Sequence, residues 1–191
     1  MTEVIDVVRM GWRGSLGGMP TLVKDPPPAE LEALLERRRR LGQDLFDEVW
    51  EGVYHVNPAP HSRHGRTARQ VAVIVEPLAQ AAGLVGTDPF NLGEADDYRV
   101  PDGGWLRPGP DQVYLPTAAL VLEVVSPDDD TWEKLGFYAR HHVDELLIVG
   151  PQERRVHWLG LDAVGEYRPI EQSGLVALGP TELADRIIWP D

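Results

Sequence analysis

A chain of 191 residues with 18 Lys and Arg against 31 Asp and Glu carries a formal charge of −13, and a length of that order suits one domain that buries its core without staples. The absence of cysteine excludes disulfides, thiolate metal sites and cysteine nucleophiles, and it fits a reducing cytoplasm, the compartment expected. The acidic balance weighs against a broad basic face for nucleic acid, no apolar run reaches the ~18 residues of a membrane span, and the first twenty residues lack the apolar core of a signal peptide.

Residues 1–27 hold Gly14, Gly17, Gly18, Pro20 and most of a proline run without sustained periodicity, which predicts an extended arm. A single domain is expected over 28–191. Its first helix starts at Pro28 or Ala29, carries Leu31, Leu34 and Leu35 on one face and ends near Gly42. Strands are predicted at Leu45–Trp50 and Gly52–Asn57, joined around Glu51-Gly52. After Pro58 and Pro60 a long helix runs from Ser62 to Ala82, with Val71, Ile74, Val75 and Leu78 as its buried stripe and Gly83 as its stop.

The middle of the chain reads as sheet. Strands are expected at Leu84–Phe90 and Tyr98–Val100, followed by a turn at Asp102-Gly103-Gly104. The run Ala118–Val125 is apolar on both faces apart from Glu123, the pattern of a central strand. A helix over Thr131–His142, strands at Glu145–Val149, Val156–Gly160 and Tyr167–Ile170, and a short helix at Thr181–Arg186 complete the order. That order suits a mixed sheet with helices on its faces, in one α/β or α+β domain.

Glu123 draws the first attention, because a carboxylate inside an apolar strand is costly unless something pairs with it. A strand end open to water, or an arginine partner, would satisfy it; so would a hard divalent cation, which prefers oxygen ligands. Asp102 lies about twenty residues earlier in Val100-Pro101-Asp102-Gly103. That sequence is ordinary turn chemistry, yet the spacing lets a strand hairpin bring both carboxylates to one edge. Lys134 follows Asp130 by one helical turn, so the two could form a surface ion pair or direct the ammonium to a phosphate. Glu48 is either a surface strand position or a third carboxylate. His64 opens the long helix, where anions are favoured. His61-x-x-His64 lacks further ligands at zinc spacing. Two basic clusters break the acidic average: Arg37 to Arg40, and Arg63, Arg66 and Arg69.

The ordered set Val100-Pro101-Asp102, Leu122-Glu123-Val124-Val125-Ser126-Pro127 and Asp130-x-x-x-Lys134-x-x-x-Tyr138 resembles the Uma2 family of the PD-(D/E)XK nuclease superfamily. Glu48-Val49-Trp50-Glu51-Gly52, Pro58-Ala59-Pro60 with His64, and Val143-Asp144-Glu145-Leu146-Leu147-Ile148-Val149 extend the resemblance over about residues 44–160. It departs where the superfamily lysine, two residues after the glutamate, is Val125, and where the usual aspartate after the last strand is Gly150. The resemblance implies a restriction-endonuclease-like mixed central sheet flanked by helices. It implies Mg²⁺ or Mn²⁺ held by Asp102, Glu123, the Val124 carbonyl and Glu48, with Lys134 as the catalytic lysine. DNA would be contacted by His64, Arg63, Arg66 and Arg69, and a homodimer is expected. A catalytically silent binding module of the same fold, and a phosphodiesterase acting on another substrate, are the alternatives.

Overall fold

The computed structural model describes residues 21–24, 29–126 and 130–190. Of the arm expected over 1–27, residues 1–20 and 25–27 therefore lie outside the described residues, as do Asp128 and Asp129 of the acidic loop. Strand β1 (Thr21–Lys24) pairs antiparallel with β3. Helix α1 (Ala29–Arg40) ends where Gly42 takes a φ of +61°, and the Gln43 N–H returns to the Arg38 carbonyl at 2.9 Å. Strands β2 (Glu48–Trp50) and β3 (Val53–Val56) form the expected hairpin. Glu51 and Gly52 both adopt positive φ at its tip, as a two-residue hairpin loop requires.

Helix α2 (Ser62–Ala81) buries Thr67, Val71, Val75 and Ala79 at four-residue steps, with Ile74 and Leu78 half-buried beside them. His61 caps it: its Nδ1 accepts the Arg63 N–H at 3.3 Å. Strand β4 (Val85–Thr87) follows, shorter than expected. Next come β5 (Asn91–Glu94), which periodicity did not single out, and β6 (Asp97–Arg99). The turn expected at Asp102-Gly103-Gly104 is a correction: Gly103 and Gly104 open strand β7 (Gly103–Leu106), and Asp102 occupies the bend before it. A Cβ at Gly104 would lie 2.7 Å from the Leu120 carbonyl oxygen, so glycine here serves close strand approach rather than turning.

Strand β8 (Tyr114–Leu115) is short, and β9 (Leu120–Val124) is buried at every position. A 3-10 turn (Thr131–Lys134) runs into helix α3 (Leu135–Arg140), so the helix expected over Thr131–His142 is split into two geometries. Strands β10 (Glu145–Gly150), β11 (Arg155–Leu161) and β12 (Tyr167–Pro169) and helix α4 (Pro180–Arg186) complete the chain.

The strands form two mixed sheets, ordered β1-β3-β2-β6-β5-β8 and β12-β11-β10-β9-β7-β4. In the second, β9 lies parallel to β10 and antiparallel to β7. One apolar cluster joins α2 and α4 to Leu120, Leu122 and Val124. The other joins Phe137 and Tyr138 of α3, and Leu92 of the first sheet, to Val121 and Ile148. The fold is thus mixed α/β, with β9 covered on both faces. Among the described residues no helix is long and apolar enough to cross a membrane.

Candidate active site

The segment Val100–Asp102 carries the chain from β6 in the first sheet to β7 in the second. Because Gly103 lies opposite Leu122 in the β7–β9 register, Asp102 comes alongside Glu123. One Asp102 oxygen accepts the Val124 N–H at 2.8 Å, which pins the carboxylate to the end of β9. Its other oxygen lies 2.6 Å from Nε2 of His64, and Nδ1 of the same ring lies 2.9 Å from the Ser126 hydroxyl. His64 thus ties the first turn of α2 to the segments that follow β6 and β9.

On the adjoining face, Glu123 is only 4 % exposed. The Tyr138 hydroxyl donates to its Oε1, and the Lys134 ammonium lies 3.4 Å from the same oxygen. Lys134 also meets Glu48 Oε1 at 3.0 Å, although the two residues are 86 positions apart in the chain. Glu48, 2 % exposed, further accepts the Val100 N–H at 2.7 Å and the Trp50 indole N–H at 2.7 Å. Lys134 and Tyr138 project together because they are four residues apart on consecutive helical turns.

Two buried carboxyl groups, Glu48 and Glu123, therefore clamp one ammonium, with Asp102 beside Glu123. Burial lifts the Glu123 carboxyl to about 8 despite Lys134, and the neighbouring Asp102 and Glu48 charges add to the rise. The opposing carboxylates Glu123 and Glu48 hold Lys134 charged well above the usual lysine range, overcoming its burial. Burial, reinforced by the Glu123 charge, likewise raises Tyr138 and keeps it a donor.

The carboxyl oxygens gathered here bear on whether the site fits a cation. Among the described residues no three acidic or histidine side chains converge as a ready three-ligand metal site. Mg²⁺ needs less, since it commonly takes one or two carboxylates and keeps several waters. Half-buried Asp102 and the buried Glu123 beside it supply the oxygen donors that a hard divalent ion takes on that basis.

Each sequence expectation now has a place. The alternatives of a water-exposed or arginine-paired Glu123, a surface Glu48 and a surface Asp130–Lys134 pair give way, because Glu48, Glu123 and Lys134 are buried together. His64 is more than a helix-start residue, since its ring bridges Asp102 and Ser126. Arg63, Arg66 and Arg69 are exposed along the first two turns of α2 and belong to its solvent side. Sequence reasoning missed Tyr138 and Ser126 as members of the constellation. The Lys134-x-x-x-Tyr138 spacing was the available signal for the first. Nothing local pointed to Ser126, because its partner lies 62 positions away.

A mixed sheet with buried acids and a lysine converging on its central strand defines a nuclease-like α/β protein. Residues 29–186 match the Uma2 family, described as "Putative restriction endonuclease". The match spans most of the chain, and the chain belongs to that family. It is also similar in fold to a crystal structure of "a putative nuclease belonging to DUF820" from Anabaena variabilis. The two share 15% identity and a TM-score of 0.55, over 73% of this chain and 90% of that one. No curated protein matches.

Proposed function

We propose that this chain is a divalent-metal-dependent endonuclease that hydrolyses phosphodiester bonds in DNA. The observation that carries the reading is the convergence of Asp102 and Glu123 from neighbouring strands beside a buried lysine. Asp102, Glu123 and the Val124 carbonyl would hold Mg²⁺ or Mn²⁺, with Glu48 close behind them. Such an ion, when bound, supplies a water of lowered pKa and polarises the scissile phosphate.

The chain's own groups do the rest. Lys134, clamped by Glu48 and Glu123, sets a fixed positive charge against the charge that grows on the phosphate. Tyr138 orients Glu123, and His64 orients Asp102. Arg63, Arg66 and Arg69, exposed on the helix that begins beside His64, contact the DNA backbone and set its direction. A homodimer is part of this reading, and light scattering of the purified chain checks it. A cytoplasmic setting, where nucleic acid and Mg²⁺ are at hand, suits this chemistry.

The test is cleavage of supercoiled plasmid, single strands and RNA with Mg²⁺ or Mn²⁺. Asp102→Asn and Glu123→Ala are each expected to reduce cleavage to background while leaving a folded chain. Equal cleavage by wild type and both variants rejects the mechanism. A second reading rests on the order Ser126 hydroxyl, His64 imidazole, Asp102 carboxylate, which is the order of a serine nucleophile relay. Under the metal reading Ser126→Ala keeps cleavage within about tenfold, since only an orienting bond is lost. Under the relay reading the same variant loses all hydrolysis.

A further inference from the structure

Beside the carboxylate cluster lies a small open cleft between the end of β9 and the β10–β11 connection. Its walls include Ser126, Trp132, Gln152, Glu153 and His157. Two features tie it to the site. Ser126 lines the cleft and is hydrogen-bonded to His64, which holds Asp102. The 3-10 turn that brings Trp132 to the cleft brings Lys134 to the carboxylates two residues later.

The cleft's composition is unusual for this surface. Trp132 is 47 % exposed, although burying such a ring is strongly favourable. Its one ring partner among the described residues is His157, edge to face at 5.3 Å, and about half of the side chain stays open to solvent. Gln152 and Glu153 are exposed on the adjoining connection, and neither makes a side-chain hydrogen bond among the described residues.

We propose that this cleft receives one unstacked nucleobase of a single-stranded DNA whose backbone passes over the carboxylate site. The proposal rests on the phosphodiesterase reading above and narrows its substrate. A base can lie on Trp132 only after leaving a duplex stack, and aromatic platforms are the usual means of holding unstacked bases. The charge of −13 argues the same way. A duplex is captured chiefly by neutralising many phosphates, which this chain is poorly equipped to do, whereas stacking supplies affinity without net positive charge. The polar wall can hold the edge of the stacked base. Glu153 can only accept hydrogen bonds, whereas the Gln152 amide both donates and accepts. Cytosine and adenine offer an amino donor beside a ring-nitrogen acceptor, which suits this pair. Thymine and guanine also carry ring N–H donors beside carbonyl acceptors, so the wall takes any base edge.

The experiment uses the full chain in chelator, so that nothing is cleaved. Twelve-residue single strands carry one 2-aminopurine, whose fluorescence is quenched on stacking. Wild type is expected to quench the probe and to bind the single strand more tightly than the matching duplex. Trp132→Phe retains this behaviour. Trp132→Ala weakens binding by roughly 5- to 100-fold, the range for losing one stacked base, and abolishes the added quenching. Unchanged binding by Trp132→Ala, or tighter binding of duplex by wild type, overturns the proposal. Strand binding through Trp132 by a chain that cleaves nothing keeps the cleft and sinks the nuclease reading; cleavage of single strands indifferent to Trp132 does the reverse.

Discussion

Glu48, Glu123 and Lys134 illustrate how burial converts ordinary charged residues into a site. An exposed Lys–Glu pair contributes little, whereas in a water-poor cluster each partner decides the protonation of the others. Replacing Glu48 by Gln removes the carboxylate charge that meets Lys134 while keeping an oxygen that can accept the Val100 N–H. Cleavage by Glu48→Gln is expected to fall about 10- to 100-fold, the usual effect of losing an outer orienting group, and single-turnover rates check it. Wild-type rates would remove Glu48 from the machinery. Glu123 also links the site to pH. Burial raises its carboxyl to about 8 in the folded chain, well above the ordinary carboxylate range, so the folded state holds a proton that the unfolded state releases. That contribution to stability is fully present at acid pH and is lost as pH rises toward about 8. Glu123→Gln lacks the term, so its melting temperature relative to wild type should climb between pH 5 and pH 8 and then level. Parallel melting curves across that window would show that Glu123 does not carry the raised value.

Strand β7 is the element on which Asp102 depends. Gly104 lets β7 approach β9 closely enough to set Asp102 beside Glu123, and Gly103 lies against the Thr87 carbonyl of β4. A methyl at Gly104 meets backbone, the Leu120 carbonyl at 2.7 Å, and no side-chain rotation relieves that contact. Gly104→Ala is expected to cost about 1–3 kcal/mol, as overpacking does, and to weaken cleavage beyond what the stability loss explains. Chemical denaturation and activity on the same sample check both parts. Helix α2 was legible in advance, because four-residue spacing of Val71, Val75 and Ala79 has one geometric solution. Strand β5 was not. Asn91-Leu92-Gly93-Glu94 has only Leu92 as an apolar marker, and pairing with β6 and β8 makes it a strand. The Gly-Gly opening of β7 misled for a related reason: glycine serves both turning and close approach, and only the neighbouring strand shows which.

At the scale of the molecule, two sheets meet where one continuous reading had suggested a single central sheet. Arg99 lies at the junction, between the rings of Trp50 and Phe137 at 4.4 and 4.0 Å, and donates to the Val49 carbonyl at 2.7 Å. That junction brings Glu48 of the first sheet onto Lys134, which follows the second sheet's central strand. The family resemblance, the central strand with Glu123, the long helix and the acid–lysine candidates were all readable from residue order, because periodicity and motif spacing are local properties. Which candidates are buried, that Glu48 and Lys134 touch, and that Ser126 joins His64 and Asp102 were decided only by the folded chain. Those contacts bridge up to 86 positions, and nothing in one stretch of sequence encodes the crossing from sheet to sheet that closes the distance.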